Sequence, residues 1–79
     1  MERNSIKSRI NELIIKLDDT DYVTNKLTEA IAKYLIDGDK TALETTYLEY
    51  KLILDQRQAW RNEINRLENQ LKEIANEGN

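Results

Sequence analysis

No cysteine, no proline and no histidine occur in these 79 residues, glycine appears only twice, and Trp60 is the sole tryptophan. Without cysteine there is neither a disulfide framework nor a thiolate metal site, and without histidine the usual general base and commonest metal ligand are both missing. The expectation is therefore a non-enzymatic protein with no catalytic, cofactor-binding or metal-binding residue. A large excess of one charge is also lacking. Twelve basic residues against fifteen acidic ones leave a net charge of −3, and the two signs alternate along the chain instead of forming a basic stripe, which disfavours nucleic acid as a partner. No apolar run approaches the roughly 20 residues that cross a bilayer, and the opening Met1-Glu2-Arg3-Asn4-Ser5 carries no apolar signal core. A cytoplasmic origin and no membrane partner are expected.

What the chain does have is helical periodicity. From Leu43 to Ile74 there is no Gly or Pro, and Tyr50, Ile53, Arg57, Trp60, Ile64, Leu67, Leu71 and Ile74 recur at alternating steps of three and four residues. That spacing places all eight on one face of a long helix. Upstream, Ile6, Ile10, Leu13, Ile14 and Leu17 make one apolar face behind an N-cap at Ser5. Tyr22, Val23, Leu27, Ala30, Ile31, Tyr34 and Leu35 make another. Between them, the side chains of Asp18-Asp19-Thr20-Asp21 compete for backbone hydrogen bonds, which predicts a kink or short turn. Gly38 suits the left-handed residue that closes a helix, and Asp39 suits the cap of the next.

These signals predict a single all-α domain over 1–79, with helices at about 5–17, 20–37 and 40–76 and a frayed end at Glu77-Gly78-Asn79. The chain would fold as an antiparallel helical hairpin with a kinked or broken first arm and a long third helix. Reversal at Gly38 sets Leu35 beside Leu43, Ile31 beside Tyr47, Ile14 beside Ile64 and Ile6 beside Leu71. A compact three-helix bundle is the alternative, but it needs a break near Asp55-Gln56 that nothing there forces. Seventy-nine residues bury a limited share of their surface, so self-association into a coiled-coil-like bundle is expected. Leu48, Leu52 and Ala59 lie off the seam and form the candidate oligomer face.

Neither the Asp18/Asp19/Asp21 group nor the Asp37/Asp39 pair has the register of a calcium loop, and helix capping accounts for both. Arg57 is the anomaly. It stands at a core position one turn before Trp60, and the hairpin register brings it opposite the aspartates, so a carboxylate–guanidinium contact would lock the two arms together. Asp21 with Arg57 or Arg61 is the preferred pair, with Tyr22 and Trp60 packed beside it. A binding hot spot at Trp60 and a neighbouring arginine is the functional counterpart.

Leu17, Thr20-Asp21-Tyr22, Lys26, Glu29, an aromatic at Tyr47 or Tyr50, and the run from Gln56 through Arg57, Trp60, Arg61, Ile64 and Asn65 to Glu68 form a combined pattern. It resembles one found in small phage and prophage tail-region proteins, including the XkdW-like proteins of defective Bacillus prophages and segments of some tail-fibre and fibre-assembly polypeptides. The resemblance covers about residues 13 to 68. It implies that Thr20, Asp21, Tyr22, Arg57, Trp60, Arg61, Ile64 and Asn65 form a structural clasp or interface. It also implies a tail or tail-fibre structural or assembly role, with the chain itself or a phage tail polypeptide as partner, in the bacterial host cytoplasm or the virion tail. A small regulatory or inhibitory binder of a host or phage protein is the alternative.

Overall fold

The computed structural model describes residues 3–77, which form two helices, α1 (Arg3–Asp37) and α2 (Lys40–Glu77). They pack side by side as an antiparallel hairpin of 61 × 15 × 14 Å. Gly38 makes the reversal with φ of 71°. The Asp39 N–H donates back to the Tyr34 carbonyl (3.1 Å), while the Asp39 carboxylate accepts from the Ala42 N–H (3.2 Å). One helix is closed by the glycine and the next is capped by the residue after it, so the arms are joined with no spare chain.

The expected division of the first arm does not occur, and among the described residues there are neither three helices nor a three-helix bundle. Helix α1 runs unbroken through Asp18–Asp21, and Ser5 lies inside it instead of capping it. Two causes act together at Thr20. Its hydroxyl lies 2.9 Å from the Lys16 carbonyl and 3.0 Å from that of Leu17, hydrogen-bonding to the helix it belongs to; Thr24 and Thr28 do the same to Thr20 and Thr24. Potential helix-stopping groups are thus used inside the helix. In addition, the α1 stripe is continuous once threonine is admitted to it: Ile6, Ile10, Leu13, Leu17, Thr20, Thr24, Leu27, Ile31 and Tyr34 alternate four- and three-residue steps, and each is buried or half-buried. An uninterrupted seam against α2 outweighs the modest helix propensity of three aspartates, a few tenths of a kcal/mol each on the order of common propensity scales.

Burial is unequal along the rod. Ile6, Leu13, Ile64 and Leu67 form the buried core, with Ile10, Leu17, Trp60, Leu71 and Ile74 packed against them. All belong to the half remote from Gly38. Between the latch and the turn no residue is fully buried, and Val23, Leu35, Tyr47, Leu48 and Leu52 are exposed. The register expected for Leu35, Tyr47 and Ile14 is corrected accordingly, because all three stand on the flanks and not in the seam. The predicted fraying concerned Glu77, which ends α2, and Gly78 and Asn79, which lie outside the described residues.

Candidate functional site

Arg57 enters the seam from α2 between Ile53 and Trp60, and only 7% of it is exposed. Its aliphatic stem occupies a core position while the guanidinium reaches across to α1. There, Nη1 donates to the Leu17 carbonyl (2.6 Å) and to the Thr20 hydroxyl, and Nη2 donates to Asp21 Oδ1 (2.6 Å). A helix carbonyl has a lone pair left after its own ladder bond, and Leu17 uses it here. Thr20 donates its proton to its own helix and accepts from Arg57, so one hydroxyl serves both arms. The Asp21 side chain is 58% exposed. The latch is therefore dry at the guanidinium root and wet at the carboxylate, where solvent screens the ion pair.

The other residues expected in this clasp are distributed differently. Ile64 is buried in the core and Trp60 is half-buried, with the Lys16 ammonium 5.9 Å from its ring centre. Tyr22 does not pack beside the latch: it is 65% exposed, and Lys26 lies over its ring at 5.1 Å. Alternation explains this, since a residue two positions beyond the seam residue Thr20 points away from α2. Arg61 and Asn65 are exposed, as are Asp18 and Asp19. Among the described residues no three His, Cys, Asp or Glu side chains converge as metal ligands, and no helix is long and apolar enough to cross a membrane.

A second inter-arm contact was not singled out from the sequence. Arg9 grips Glu63 through Nε (3.1 Å) and Nη2 (3.3 Å), and also reaches Glu12 at 3.0 Å; Arg66 stands 4.0 Å from Glu63. The hydrogen bond from Arg9 holds the Glu63 carboxyl below its ordinary pKa, against a smaller opposing effect of desolvation. Arg9 is correspondingly raised, first by Glu63 and then by Glu12. The available sequence signal was opposite charge at the positions just before the seam residues Ile10 and Ile64 on the two arms.

On the same flank as this pair, toward the turn, two shallow hollows meet. One, of about 430 Å³, is lined by Val23, Leu27, Glu49, Leu52, Ile53 and Gln56. The other, of about 480 Å³, shares Leu27 and Glu49 and adds Lys26, Glu29, Ala30, Lys33 and Thr46. They make one groove with an apolar floor and charged rims. Of the candidate oligomer residues, Leu52 lines this groove, while Leu48 and Ala59 are exposed on α2 outside it. Compared with protein-family models, with curated proteins and with solved structures, the chain has no match.

Proposed function

We propose that the chain is a non-enzymatic helical interaction protein that acts in phage or prophage tail or tail-fibre structure or assembly, by docking another helical surface. The observation that carries the docking role is the contrast between the two halves of the rod. The end remote from the turn is packed and latched, whereas the turn half presents Val23, Leu52 and Leu48 to solvent beside a groove. A stiff arm bearing an unsatisfied apolar strip suits helix-in-groove recognition, in which burial supplies affinity and rim charges set register. The tail setting is supported by the resemblance over Thr20-Asp21-Tyr22 and Gln56–Glu68. The partner is a second copy, a helical segment of a tail polypeptide, or both.

Immunodetection in purified particles, together with affinity capture from infected or induced cells, tests this. A structural component is expected in the particle and an assembly factor bound to a tail polypeptide. Absence from particles combined with capture of a host protein would overturn the tail reading and favour a regulatory binder.

A further inference from the structure

Resting on that interaction role, we propose that the groove is covered by the same groove of a second copy, with both turns at the same end, giving an all-antiparallel four-helix bundle. The accessible surface is 5964 Å². A compact monomer of 9.3 kDa would expose only about 5,000 Å². The excess is about 1,000 Å², against about 800 Å² covered per partner in a standard interface. The rod therefore exposes enough additional area to seat one interface of standard size.

Charge chooses both the occupant and its orientation. The α1 rim of the groove carries Lys26, Glu29 and Lys33, one positive charge in balance, and the α2 rim carries Glu49. Among the described residues Lys26 and Glu49 enter no ion pair within the chain. A twofold axis along the rod sets α1 of one copy against α2 of the other at the same height. Lys26 then meets Glu49 of the second copy, and Val23 meets Leu52 of the second copy. A head-to-tail twofold centred on this groove would instead oppose Lys26 to Lys26 and Glu49 to Glu49, which costs affinity. Leu52, 71% exposed in the single chain, becomes the central apolar contact.

Sedimentation equilibrium on the purified chain is expected to show a monomer–dimer equilibrium at micromolar to high-micromolar concentration. Leu52→Glu should weaken the dimer at least tenfold with the helical circular dichroism retained. Lys26→Glu and Glu49→Lys should each weaken it by about three- to tenfold, and the double exchange should restore it. Because the chain lacks cysteine, Lys40→Cys admits one nitroxide per copy beside the turn. Electron–electron distances under about 25 Å are expected for turns that lie together, against more than about 35 Å head to tail. A monomer at high-micromolar concentration, the longer distance, or indifference to Leu52→Glu would each overturn the bundle. A dimer absent from particles would defeat the tail reading alone, and a monomer present in particles would defeat the bundle alone.

Discussion

Replacing Arg57 by methionine isolates what the latch contributes. The arginine makes three hydrogen bonds from a site that is 7% exposed, yet its carboxylate partner is mostly in water. Methionine keeps the unbranched stem in the seam and removes the guanidinium. None of the three acceptors left behind is stranded: the Leu17 carbonyl keeps its place in the helix ladder, the Thr20 hydroxyl retains its bond to its own helix, and Asp21 is hydrated. Arg57→Met should therefore lie within about 1 kcal/mol of the parent chain, with stabilisation as readily as loss, as for other replacements of buried charge by an apolar side chain of similar volume. Arg57→Ala also loses the stem and leaves a void, and should cost about 2–3 kcal/mol. Asp21→Ala leaves the guanidinium with Leu17, Thr20 and nearby solvent, and should cost about 0.5–1 kcal/mol after allowance for screening. Urea titrations followed by circular dichroism at one fixed protein concentration would measure all three. For a domain of this size, 1 kcal/mol corresponds to about 4–8 °C in Tm. The account of a half-wet, fully satisfied latch is refuted if Arg57→Met costs as much as Arg57→Ala, or if Asp21→Ala alone matches the loss from Arg57→Ala.

Acid should loosen the Arg9–Glu63 pair: with the folded Glu63 pKa below its unfolded value, its stabilisation is complete above the ordinary carboxylate range and disappears as pH falls through the folded value. Glu63→Gln should flatten that part of the pH–Tm curve, and an unchanged acid limb would reject the assignment. Leu13→Ala should cost about 2–5 kcal/mol by denaturant titration, whereas Ile36→Ala, at a site 85% exposed, should stay within about 0.5 kcal/mol. Gly38→Ala meets no atom within 4 Å but must adopt φ of 71°, so it should lose about 1 kcal/mol in thermal melts through backbone strain alone.

Periodicity and the turn at Gly38–Asp39 were legible because both act over one or two helical turns, whereas the caps expected at Ser5 and in Asp18–Asp21 fall inside α1. The α2 stripe, the reversal at Gly38 and the cap at Asp39 could be placed from spacing and residue type alone. Arg57 stood out as a charge in a register of apolar side chains, and its carboxylate partner followed from the hairpin register. The break expected at Asp18–Asp21 is absent because Thr20 and Thr24, polar residues, hold seam positions, so the heptad continues where apolar side chains alone leave a gap between Leu17 and Leu27.

Two long helices and one sharp turn are thus local properties of this chain, written in three- and four-residue spacing and in one left-handed glycine. Contact between the arms settled the rest. It kept Asp18–Asp21 helical, because α2 supplied a continuous seam and a guanidinium that used Leu17, Thr20 and Asp21. It also concentrated full burial at the end remote from the turn, leaving the Val23–Leu52 groove open, since that depends on which side chains face one another across two distant stretches of sequence.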